Sequence, residues 1–117
     1  MNIHESGVIL FMENYAETLD FYLTKLGLPV REQKDGLTIF DFGKSYLMIE
    51  NNGVASTTEK TRAQNPSIIR FDVTDFDETI QELVERGLEV TVHRPNWGTI
   101  GVIIDPEGNR IEIKAAE

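Results

Sequence analysis

Trp97-Gly98-Thr99-Ile100-Gly101-Val102-Ile103-Ile104-Asp105-Pro106-Glu107-Gly108-Asn109-Arg110-Ile111-Glu112 decides the fold. An apolar run of strand character (100–104) meets Pro106-Glu107-Gly108, which breaks it into a turn, and a second strand follows over 109–114. In that last strand Ile111 and Ile113 alternate with Arg110, Glu112 and Lys114, so one face is apolar and the other charged.

The same plan occurs twice. A shift of 61 residues aligns Asn14-Tyr-Ala-Glu17-Thr18-Leu19 with Asp75-Phe-Asp-Glu78-Thr79-Ile80. Each segment follows an apolar run, Val8–Met12 or Ile68–Val73, and opens with Asn or Asp three residues before Glu, a capping-box pattern. Apolar residues then recur at helical spacing: Tyr15, Leu19, Tyr22 and Leu26, and in the second copy Phe76, Ile80, Leu83 and Val84. Gly27 and Gly87 stand where each helix should stop. Three strands are predicted after each helix, at 28–33, 37–42 and 45–50 and at 88–94, 100–104 and 109–114. Two strand-helix-strand-strand-strand modules result, at about 6–51 and 67–115. The polar, aperiodic stretch 52–66 (NGVASTTEKTRAQNP) reads as their linker within one domain of 117 residues.

The two βαβββ units, Phe21-Tyr22 with Leu26-Gly27-Leu28, and the closing run together resemble the vicinal oxygen chelate superfamily. That superfamily includes glyoxalase I, bleomycin-resistance proteins, fosfomycin-resistance enzymes and extradiol dioxygenases. The resemblance covers nearly the whole chain. It implies an α+β fold with eight mixed strands curled around a cleft. It also implies a divalent-metal site on the first and last strand of each module, often in a homodimer that shares ligands between chains.

Carried over by the motif alignment, the four metal positions are Gly7, Leu47, Ile68 and Glu112. A catalytic divalent site needs about three protein donors, and a homodimer supplies only the same four positions again. No metal and no cofactor is therefore expected. His4 lies near the N-terminus with the wrong strand parity, and His93 is not at a family ligand position. Alternation places Ile9, Phe11, Ser45, Ile49, Arg70, Asp72, Arg110 and Lys114 on the cleft side with the four metal positions. Val8, Leu10, Met12, Ile69, Phe71, Val73, Ile111 and Ile113 are left for packing beneath the helices. A slip of one residue would bury Arg70, Arg110, Glu112 and Lys114 under a helix, at prohibitive cost.

The candidate ligand-binding residues are Phe11, Leu47, Ile68, Arg70, His93, Trp97, Arg110 and Glu112. Glu112 either pairs with Arg70 as a satisfied wall carboxylate, or orients an anionic ligand bound by Arg70 and Arg110. Trp97, the one tryptophan, either lines the cleft, where it could clamp a flat ligand with Phe11, or packs structurally. His93, if it faces the cleft, is the best available general base, because its unperturbed pKa lies near neutrality. Catalytic residues are not assignable.

Bulk properties narrow the class. A net charge of −9 opposes binding a nucleic-acid backbone, without excluding a small anion held by a local arginine cluster. With no cysteine there is no disulfide or thiolate chemistry. No apolar stretch is long enough for a membrane span, and cytoplasmic residence is the default expectation. The expectation is a metal-independent protein, homodimeric and cytoplasmic, that binds a small molecule in its cleft. The alternative is an enzyme of the same superfamily (lyase, isomerase or dioxygenase) with an atypical or absent metal site. A third account is a degenerate member that works through protein contacts.

Overall fold

The computed structural model describes residues 1–116 and divides into two compact units, Met1–Ala55 and Ser56–Glu117. In the first, β1 (Gly7–Met12) leads to α1 (Tyr15–Asp20), which widens into a π-helical turn over Phe21–Lys25; β2 (Val30–Lys34), β3 (Leu37–Phe42) and β4 (Ser45–Asn51) follow. The second repeats the order with β5 (Ile69–Val73), α2 (Phe76–Glu85), β6 (Thr91–His93), β7 (Ile100–Ile104) and β8 (Arg110–Ala115). The eight strands are hydrogen-bonded as two four-stranded mixed sheets, β1-β4-β3-β2 and β5-β8-β7-β6, rather than as one continuous sheet. In each sheet the pair made by the module's first and last strands, β1–β4 or β5–β8, is parallel and the remaining pairs are antiparallel. The architecture is α+β.

Both helices stop at the expected glycines. Gly27 and Gly87 adopt φ of 75° and 92°, and the residue after each donates back into the helix, Leu28 N–H to Tyr22 O and Leu88 N–H to Leu83 O. The helix starts differ from expectation. Asn14 and Asp75 occupy the cap positions, yet neither side chain bonds the helix N–H groups. Asp75 instead meets the Glu78 carboxyl, and that hydrogen bond raises the Glu78 pKa.

The π turn, closed by Leu26 N–H on Phe21 O, inserts an extra residue per turn and brings both Phe21 and Tyr22 into the core. Periodicity alone had placed only Tyr22 there. In the second helix Phe76, Ile80 and Leu83 form the inward stripe, while Val84 lies outside it and is exposed.

Segment 52–66 is not a free tether. Ser56 N–H bonds to Glu107 O and Lys60 N–H to Gly108 O, so residues 56–60 lie along the turn before β8. That turn is organised by Asp105, whose buried Oδ1 accepts from the N–H groups of Glu107 at 2.9 Å and Asn109 at 2.8 Å. Asn65 completes the seam with a 3.0 Å bond from its Nδ2 to Asn109 Oδ1.

Gly108 has φ of +87°, and a Cβ there would lie 2.6 Å from Thr58 O; Gly43 also has positive φ, +60°, with open space around it. Both alanine substitutions should cost roughly 1–2 kcal/mol for the left-handed backbone. Gly108→Ala should cost about 1–3 kcal/mol more, because the strap must move. Denaturant unfolding of both variants checks this; equal losses would show that the strap does not press on the turn.

Candidate functional site

The face of each sheet turned from its helix carries the candidate residues other than Leu47. In the second unit the helix side is fixed by Gly101, where a Cβ would run into Ile80 of α2 and Val90. Register then puts Ile103, Ile111, Ile113, Ile69 and Phe71 on the helix side with Gly101. Arg70 pairs with Glu112, Asp72 with Lys114, Val102 with Glu112 and Ile104 with Arg110, all on the open face. The sequence-based alternation therefore holds for β5 and β8.

At the centre of that face Glu112 is 4% exposed and fully engaged. Arg70 Nε and Nη2 both donate to Oε1, at 3.1 and 2.7 Å, and Arg110 Nε donates to Oε2 at 2.9 Å. The pairing with Arg70 considered from the sequence is present, and Arg110 adds a second guanidinium. Arg110 Nη1 also lies 3.7 Å from Glu59 Oε2, which Arg62 holds at 3.1 Å. Burial pushes the Glu112 carboxyl up, but the hydrogen bonds and charges of Arg70 and Arg110 outweigh it and hold the group below its ordinary value. Glu59 gave no sequence signal, because it lies in the aperiodic strap.

Trp97 stands beside this cluster, half exposed, with the Arg70 guanidinium carbon 5.5 Å from its ring centroid. Such an exposed contact is worth about 0.5–1 kcal/mol and keeps the guanidinium beside the indole. His93 pairs with Ile100 in the ladder and thus shares the open face, but β7 separates its strand from Glu112. Ile68 precedes β5 with the parity of Arg70 and is exposed.

The first unit corrects one assignment. Leu47 is 0% exposed and pairs with Val8 and with Phe40, whose ring lies 6.4 Å from that of Tyr22. It is therefore a core residue beneath the helix and not a cleft residue; Ser45 and Ile49 share its parity. The apolar run Tyr46-Leu-Met-Ile49 does not alternate, so its parity was not legible. Open-face positions on β4 are Tyr46, Met48 and Glu50, beside Gly7, Ile9 and Phe11. The 61-residue shift takes Arg70 to Ile9, whose partner is Met48, so Met48 is the counterpart of Glu112. Phe11 is half exposed, opposite Glu50.

Tyr46 also accounts for Gly7. A Cβ at Gly7 would fall on the Tyr46 ring, which Arg31 covers at 5.7 Å from the centroid. Arg31 in turn makes a two-pronged 2.8 Å bridge to Glu5 and a 2.8 Å bond to Asp41. Those hydrogen bonds raise the Arg31 pKa and lower that of Glu5.

The family-type metal does not fit this donor set. Position by position, Gly7, Met48, Ile68 and Glu112 offer one carboxylate and one thioether, and two guanidinium groups already occupy that carboxylate. Among the described residues no group of three or more His, Cys, Asp or Glu side chains could hold a metal ion.

The chain is 29% identical to the protein YraH of Bacillus subtilis (strain 168), over 89% of this chain and 91% of that one. A glyoxalase/bleomycin resistance protein/dioxygenase from Alicyclobacillus acidocaldarius superposes with a TM-score of 0.77 at 21% identity, over 95% of this chain and 89% of that one. A bleomycin-binding protein complexed with bleomycin superposes with a TM-score of 0.73 at 17% identity, over 98% of this chain and all of that one. Residues 6–113, both βαβββ modules from β1 into β8, match one family, and the chain belongs to the Glyoxalase/Bleomycin resistance protein/Dioxygenase superfamily.

Proposed function

We propose that the chain is a metal-independent member of this superfamily that binds a small molecule instead of transforming it at a metal. The observation that carries this reading is the double arginine bridge on Glu112, which commits both oxygens of the family's acidic position. A metal would have to displace two charge-assisted interactions from a buried carboxylate, with little else nearby to ligate it.

The residues proposed to contact ligand are Ile68, Arg70, His93, Trp97, Arg110 and Glu112 on the second sheet, and Phe11 on the first. Leu47 is withdrawn from the set. Bleomycin bound to a structural neighbour supports capture of a small molecule as a role for this architecture. On the same reading the protein acts in the cytoplasm as a homodimer. The net charge of −9 weighs against a nucleic-acid partner, and no helix among the described residues is long and apolar enough to cross a membrane. An enzymatic reading has one observation in its favour: the His93 imidazole, a side chain able to take up or give a proton, shares the open face with Glu112.

Protein soaked in Ni²⁺, Zn²⁺, Mn²⁺ or Fe²⁺ and then dialysed should retain far less than one equivalent of metal by elemental analysis, with no difference between wild type and Glu112→Gln. Stoichiometric metal lost in that variant would establish the enzymatic account instead.

The bridge also sets a pH dependence. Because the folded Glu112 pKa is depressed, its contribution is complete above the unfolded value, about 4.3, and disappears as pH falls through the folded value. Wild type should exceed Glu112→Gln in stability by roughly 1–3 kcal/mol at neutral pH. That gap should close as pH falls below about 4.3. Denaturation curves across pH test this, and a gap unchanged into strong acid would contradict the bridge.

A further inference from the structure

We propose that the small molecule bound on the second sheet is a planar aromatic monocarboxylate, its carboxylate on the terminal N–H edge of Arg70 and its ring beside Trp97. This rests on the small-molecule reading above and adds the chemical class.

The hydrogen bonds of Arg70 define which edge is available. Nε and Nη2 form the side-on edge, and both donate to Glu112 Oε1. Nη1 donates to no described residue, and the side chain is 43% exposed. The end-on edge, made by Nη1 and the second Nη2 hydrogen, can therefore accept an incoming carboxylate in the guanidinium plane. The guanidinium carbon lies over the Trp97 ring, 5.5 Å from its centroid, so a group attached to the carboxylate has a half-exposed indole within reach. A flat, apolar group gains most there, by stacking and by covering indole surface.

Charge selects a single anion. Arg70 and Arg110 share one carboxylate, Glu112, which leaves one net positive charge at the centre of the face. The flanking charges cancel: Glu59 is bridged by Arg62, and Asp72 faces Lys114 across the ladder. A monocarboxylate matches that excess. A dianion would add uncompensated negative charge to a chain already at −9. An ammonium group would find both Glu112 oxygens taken, which disfavours amines and amino acids. Ile100 and Val102 lie on the same face beside the charged centre, both buried.

Because Trp97 is the only tryptophan, its fluorescence reports directly on this site. The test compares benzoate, acetate, benzyl alcohol and benzylammonium by tryptophan fluorescence and calorimetry, up to about 10 mM. Benzoate should give a saturable change, with acetate (no ring) and benzyl alcohol (no charge) each at least about tenfold weaker. Benzylammonium should not bind. Arg70→Met should weaken benzoate by about tenfold or more, and Arg70→Lys, which keeps the charge without the planar fork, should recover part of that loss. If either arginine variant lacks the wild-type circular dichroism, Trp97→Leu, followed by calorimetry, replaces it with the same expected loss. Equal or tighter binding of benzyl alcohol or benzylammonium would overturn the monocarboxylate class and leave the small-molecule reading standing. No response to any aromatic probe would overturn both.

Discussion

A carboxylate buried in the middle of a sheet is tolerable only if its charge is answered, and Glu112 is answered twice. Transfer of an ion from water costs several kcal/mol even after local relaxation, so the surroundings of Glu112 have little freedom. Arg70 must stand directly across the parallel β5–β8 pair, and Arg110 must reach back along β8 from two residues away. The Asp105 turn makes this possible, because it fixes where β8 begins. The strap over 56–60 is tied to the same turn and brings Glu59 toward Arg110. Turn, strap, strand pairing and ion cluster form one connected arrangement.

The two modules share a plan but not a chemistry. On β5 and β8 the open face is a row of charges: Arg70, Asp72, Arg110, Glu112 and Lys114. On β1 and β4 the corresponding positions are Gly7, Ile9, Phe11, Tyr46, Met48 and Glu50. Position 7, where the superfamily resemblance implied a metal ligand, has no room for a side chain because the Tyr46 ring covers it. The clamp of Arg31 over that ring, with Glu5 and Asp41 on its edges, holds the ring in place. One module thus presents an apolar open face and the other a cationic centre with an aromatic beside it.

Much of this was legible in the sequence where a physical signal repeated. The 61-residue internal match, the C-terminal glycines and the Asp-Pro-Glu-Gly-Asn turn gave the modules and their element order. Strict alternation in β5 and β8 gave the inward and outward faces and hence the Arg70–Glu112 pair. Where alternation lapses, the reading failed: the unbroken apolar run of β4 carries no parity, and Leu47 proved to be core. The π turn was invisible because helical periodicity assumes a constant repeat. Cap residues were identified correctly, but side-chain geometry decides whether a cap bonds, and Asp75 turned to Glu78 instead. Glu59 and the strap depend on tertiary contacts alone, and no local pattern announces them.

The most direct test of the arginine-bridged carboxylate is a ¹³C NMR titration of the Glu112 side-chain carboxyl, run with and without added Zn²⁺. The account predicts a midpoint below the ordinary glutamate value of about 4.3, unchanged by the metal. A midpoint at or above that value, or a Glu112 signal displaced by one equivalent of Zn²⁺, would contradict it.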